Sequence, residues 1–180
     1  MFIYMGKIGI IILLFFLFTI PSYSQTCVEA RYLKEVGVRE KTGNNDGKDV
    51  EKYLKSVGLG KSYSYCAAFV HWVLESCGIP TSITAWSPTA ENRNNLIYSK
   101  SKWNKTPKSG DVFTLYSSKM KRINHTGFLH RYNDGIVTTV EANTSSNGAI
   151  SGSILDVNGD GVYMKKRSIH TIHSISRWTD

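Results

Sequence analysis

The chain has 180 residues, 41% of them hydrophobic and 20% charged, with 15 Gly, 4 Pro and 3 Cys. This is the make-up of an ordinary globular protein and excludes a disordered, collagenous or cysteine-stapled one. Lys and Arg number 22 against 14 Asp and Glu, a formal charge of +8, which points to an anionic partner: a wall polymer, a membrane surface or a nucleic acid.

Residues 1–24 read as an export signal. Lys7 precedes an apolar run from Ile8 to Ile20 that is short for a membrane span; Pro21 breaks it, and Ser22-Tyr23-Ser24 offers small residues for cleavage before Gln25. An uncleaved anchor is the alternative. A lipoprotein acylated on Cys27 is disfavoured, because Ser24-Gln25-Thr26 lacks the apolar and small residues usual before such a cysteine. Residues 25–180 then form one exported domain, periplasmic or extracellular, with no further membrane span.

The first half of that domain reads as helical. Val28, Tyr32, Leu33 and Val36 share a face that Gly37 ends. Asn45-Asp46 caps a second helix carrying Val50, Tyr53, Leu54 and Val57. Ser62 or Ser64 caps a third, nearly all apolar from Cys66 to Leu74 and stopped by Cys77-Gly78-Ile79-Pro80, so Cys66 sits in the first turn of a buried helix. The polar stretch from Ile79 to Gly110 holds Ser87-Pro88, the start of a short helix reaching about Tyr98. Strand patterns follow over 112–116, 126–131, 136–142, 161–166 and 168–178, with a hairpin turn at Asn133-Asp134-Gly135. Helices first and an antiparallel sheet second give an α+β fold.

Four residues on three elements carry candidate chemistry. A helix N-terminus favours the thiolate form of Cys66, although a free cysteine is as readily a small core residue. His125 opens a strand after a polar turn, and Gly127 beside it leaves room for a neighbour or substrate, with a satisfied structural histidine the alternative. Glu141 and Asn143 share a face of the next strand, and either could orient an adjacent imidazole. The other histidines are less suited: His71 with Glu75 reads as the solvent stripe of the third helix, His130 faces away from His125, and His170 and His173 point to opposite faces.

Several segments together resemble the CHAP family of cysteine amidases and peptidases, within the papain-like NlpC/P60 group and in particular its small exported Bacteroidetes members. They are 40–47 (EKTGNNDG), 65–72 (YCAAFVHW), 109–113 (SGDVF), 125–128 (HTGF), 141–144 (EANT) and 159–163 (GDGVY). The resemblance implies a nucleophile helix packed on an antiparallel sheet, Cys66 as nucleophile, His125 as general base, and Glu141 with Asn143 as the partners that orient and charge-stabilise the imidazolium. It implies hydrolysis of a peptidoglycan amide through a thioester, with the oxyanion held partly by the Cys66 backbone N–H. Two other functions fit the same residues: a peptidoglycan-binding module that has lost activity, and a secreted antibacterial toxin accompanied by an immunity or inhibitor protein.

The segment 154–161 departs from many relatives, being hydrophobic and then acidic. Its Asp156-Val157-Asn158-Gly159-Asp160-Gly161 opens like a calcium loop, but Arg167 stands where the closing carboxylate is needed, so no metal is assigned, and no cofactor motif occurs. Cys66 and Cys77 lie about 16 Å apart along one helix and cannot bond to each other. In an oxidising compartment Cys27 with Cys77 is the pairing that spares Cys66; the sequence leaves open whether it forms. Tyr63, Tyr65, Trp86 and Trp103 are the candidate groove rings for sugar or peptide, with core packing the alternative. Export favours peptidoglycan over nucleic acid, for which no binding motif is present, and a monomer is expected.

Overall fold

Three short helices lead the fold of the computed structural model, which describes residues 23–99, 101–146, 149–151 and 160–179. Most of the expected export signal and the calcium-like residues Asp156 and Asn158 lie outside them. Among the described residues no helix is long and apolar enough to cross a membrane.

Helix α1 spans Tyr23–Lys34 and α2 Lys48–Ser56. The expected cap of α2 is not used. Gly47 takes the cap position, Glu51 Oε1 accepts its N–H at 3.2 Å, and Asp46 instead accepts bonds from the Thr42 N–H and hydroxyl at 2.9 Å. Helix α3, Cys66–Ser76, begins at the cysteine itself: Tyr65 is the cap residue and offers no side-chain bond, nor do Ser62 and Ser64 take the role. The cap side chain thus bonds none of the first-turn amides.

The stretch expected to be one short helix is instead two 3-10 turns, Ser87–Ala90 and Arg93–Asn95, followed by strand β1, Leu96–Ser99. The Asn92 side chain accepts from the Asn94 N–H at 3.2 Å, an Asx turn that competes with helix propagation. Strand β2 is Lys102–Trp103, β3 Val112–Ser117, β4 Arg122–Asn133, β5 Ile136–Thr144, β6 Ala149–Ser151, β7 Gly161–Ser168 and β8 Ser174–Ser176. The last expected strand is therefore a 3-10 turn at Ile169–Thr171 followed by the short β8. The strands form one antiparallel sheet in the order β2-β1-β8-β3-β4-β5-β7-β6.

One face of this sheet packs on the helices. Ala67, Ala68, Phe69, Val70, Val73 and Leu74 of α3 join Phe128, Val140, Ala142 and Val162 in a single apolar core with Tyr32 and Tyr53. Phe69 meets Phe128 and Tyr53 edge-on at 5.8 and 5.2 Å, and truncating such a ring to Ala costs about 3–5 kcal/mol. Phe113, Leu129, Val137, Ile169 and Ile175 build a second core on the opposite face. A buried bidentate pair, Arg177 to Asp111 at 2.7 and 2.9 Å, fixes the end of the chain to the start of β3. Cys27 and Cys77 form a disulfide with Cα atoms 5.8 Å apart, joining α1 to the end of α3 and leaving Cys66 as the free thiol.

Candidate active site

The first residue of α3 meets the middle strands of the sheet. Cys66 is 3% exposed, and the nearby His125 imidazole favours the thiolate form of its thiol. The Ser87 hydroxyl lies 3.4 Å from the sulfur, and the Ala67 backbone N–H also bonds to it. Burial pushes the thiol pKa up, but the imidazole, the hydroxyl and the amide together outweigh it, so the thiol ionises below its ordinary range.

His125 lies inside β4 rather than at its start. Arg122 and Ile123, in the segment expected as a turn, already pair with β3, and a bulge at Asn124 shifts the register between Leu115 opposite His125 and Tyr116 opposite Ile123. Its Nε2–H donates to Glu141 Oε2 at 2.9 Å, which leaves Nδ1 to face the thiol. Burial disfavours the imidazolium, yet the bonds to Cys66 and Glu141 prevail and raise its pKa to about 9. Gly127 permits the approach of β4 to β5: a Cβ there would stand 2.6 Å from the Val140 carbonyl and 2.9 Å from the Phe113 ring. The space the sequence left for a neighbour is filled by Phe113 and the backbone of β5.

Glu141 is fully buried. Besides His125 it accepts from the Thr139 hydroxyl at 2.5 Å and from both arms of Arg167, at 2.6 and 2.5 Å. Burial works against the carboxylate, and the guanidinium and imidazole overcome it, holding the group ionised far below the usual carboxylate range. Sequence reasoning missed Arg167, which enters the site from β7, and Ser87, read there only as a helix cap. A cross-strand partner for Glu141 carries no short-range signal.

Asn143 is not brought to the imidazole. A bulge between Ala142 and Thr144 puts it at φ +55°, which breaks the two-residue alternation, and its amide donates to Asn45 Oδ1 at 2.7 Å. Tyr65 is buried, its hydroxyl donating to Glu40 Oε1 at 3.0 Å, so it braces the start of α3 and is no open platform. Trp103 packs between Tyr98 and Tyr132, at 4.8 and 4.7 Å, near the end of β4 remote from His125. Tyr63 and Trp86 are 56% and 58% exposed; Trp86 adjoins Ser87, and Tyr63 lies three residues before Cys66. His71 is largely enclosed rather than part of a solvent stripe: its ring nitrogens make no hydrogen bond, and Glu75 lies 3.5 Å away. His130 is held by Tyr32 at 3.0 Å and Glu29 at 3.4 Å of α1. No group of three or more metal-binding side chains occurs among the described residues.

NlpC1 from Trichomonas vaginalis aligns structurally with 89% of this chain and 46% of its own at a TM-score of 0.49 and 13% identity. An NlpC/P60 family protein from Bacillus cereus aligns with 89% of this chain and 42% of its own at a TM-score of 0.46 and 14% identity. The chain thus spans less than half the length of either. No curated protein matches it. Residues 58–143, which run from just before α3 to the end of the Glu141 strand, match the family model of the CHAP domain.

Proposed function

We propose that the chain is a CHAP-family cysteine hydrolase that cleaves an amide bond in peptidoglycan, as an N-acetylmuramoyl-L-alanine amidase or a stem or cross-bridge endopeptidase. One observation carries this reading: His125 stands between the Cys66 thiol and the buried Glu141 carboxylate, the order of nucleophile, base and orienter that acyl transfer requires. The match to the CHAP domain over the same residues supports it.

In this account His125 Nδ1 takes the thiol proton, and the Cys66 thiolate attacks the amide carbonyl. The resulting oxyanion lies at the uncapped start of α3, where the Cys66 backbone N–H donates to it. Collapse breaks the C–N bond as His125 gives its proton to the leaving amine. Water, deprotonated by His125, then hydrolyses the thioester and regenerates the thiol. Glu141, held by Arg167, keeps the ring oriented and stabilises its positive form. Tyr63 and Trp86 border the approach to the thiol in this account. The Cys27–Cys77 disulfide supports an oxidising, exported setting.

Release of dye-labelled fragments from purified sacculi tests the reading. Wild-type protein is expected to release them, and Cys66→Ala and His125→Ala to release none; equal release by Cys66→Ala would overturn it.

A further inference from the structure

The sheet face that carries Phe128 and Val140 continues past the helices into an open cleft of about 880 Å³, whose lining reaches Arg167 but includes none of Cys66, His125 and Glu141. Strand register dictates its floor. Arg131 of β4 pairs with Thr138 of β5, which pairs with Lys166 of β7; the next row is Asn133, Ile136 and Ser168. Residues directly opposite across a sheet project from one face, and all six line the cleft. Two strand spacings separate the backbones of Arg131 and Lys166 by about 10 Å, with the Thr138 hydroxyl between them.

Neither cation has an ion-pair partner among the described residues, although acidic partners hold Arg39, Lys52, Arg93, Arg167 and Arg177. Asp134 is the single carboxylate of the lining. The field of Arg131 reaches the neighbouring His130 and helps, after burial, to depress its pKa. Tyr132, packed on Trp103 at 4.7 Å, is the one Tyr, Phe or Trp ring of the lining, whereas sequence-tolerant nucleic-acid sites stack successive bases on several. Asn133, Thr138 and Ser168 instead supply the amide and hydroxyl groups that suit sugar hydroxyls.

We propose that this cleft is a second binding site, separate from the thiol, for an anionic glycan whose carboxylate or phosphate groups are held by Arg131 and Lys166 across Thr138. It extends the wall-directed reading by giving the chain a hold on its polymer that does not depend on turnover. Its chemistry stands whether or not Cys66 is catalytic.

Calorimetric titration of the full chain carrying Cys66→Ala tests this, with tetragalacturonate and phosphorylated maltotetraose as probes and neutral chitotetraose and a thymidine tetranucleotide beside them. Binding of either anionic sugar is expected, weakened at least tenfold in Arg131→Gln/Lys166→Gln and unchanged in Lys48→Gln/Lys55→Gln, which removes the same charge from α2. The preferred probe tells carboxylate from phosphate. Absence of binding to both anionic sugars, equal weakening in the two double variants, or tighter binding of the tetranucleotide overturns the proposal. Loss of sacculus hydrolysis alone leaves it intact.

Discussion

Arg167 closes both arms on the Glu141 carboxylate that accepts the His125 Nε2–H, with contacts of 2.6 and 2.5 Å. The guanidinium keeps Glu141 ionised in a fully buried position, so the imidazole meets a fixed negative charge. Removing that charge weakens the base and the thiolate it supports. Glu141→Gln should lower kcat by about 10²-fold or more and slow alkylation of Cys66 by iodoacetamide at pH 7, both measurable on one preparation. Arg167→Met should do the same more weakly, through Glu141.

The pH dependence follows from signs. The Cys66 thiol ionises below its ordinary range and His125 holds its proton up to about 9, so the thiolate–imidazolium pair occupies the interval between. Alkylation should persist well below the usual thiol range and kcat/KM should fall as pH rises through about 9. Because the folded pKa of His125 is raised, its stabilising contribution is full below the unfolded value of about 6.5 and is lost as pH rises through about 9. In His125→Gln the alkylation profile should move to higher pH; an unmoved profile would remove His125 from the site.

Ser87 contributes one hydroxyl to the sulfur, 3.4 Å away. A hydrogen bond of this kind is worth about 1 kcal/mol, so Ser87→Ala should reduce the alkylation rate at pH 7 by about fivefold, with unchanged thermal stability expected within a few degrees. Trp86→Ala, by contrast, alters an exposed ring next in sequence to Ser87 and should raise KM with kcat nearly unchanged.

The Cys27–Cys77 disulfide closes a separation of 50 residues. Chain entropy alone gives such a loop about 4 kcal/mol of stability. Urea unfolding of Cys27→Ala/Cys77→Ala should show a loss of that order, while thiol titration of denatured wild type should find one reactive group, Cys66.

How much of this was legible in the sequence depends on the range of the interaction that fixes each residue. Helical spacing and the glycine stop place Cys66 at the start of α3, and alternation puts Glu141 on a strand beside that of His125, because these are properties of a few adjacent residues. Asn143 escapes the same rule, since its left-handed backbone belongs to a bulge set by pairing with β7. Tyr65 and Trp103 look alike to Tyr63 and Trp86 in sequence; only Glu40, 25 residues from Tyr65, and Tyr132, packed on Trp103, decide their fates. Arg167 reads as the residue that spoils a calcium loop, whereas it pairs with Val137 and its long side chain reaches Glu141 further along the same strand.

The most direct test is mass spectrometry of muropeptides incubated with wild-type protein and with Cys66→Ala. The account predicts new fragments with wild type alone, each differing from its parent by hydrolysis of one amide, and their masses identify a sugar–peptide or a peptide–peptide bond. Intact muropeptides from several wall types with both proteins, while both still bind the wall, would contradict it and leave a binding module in its place.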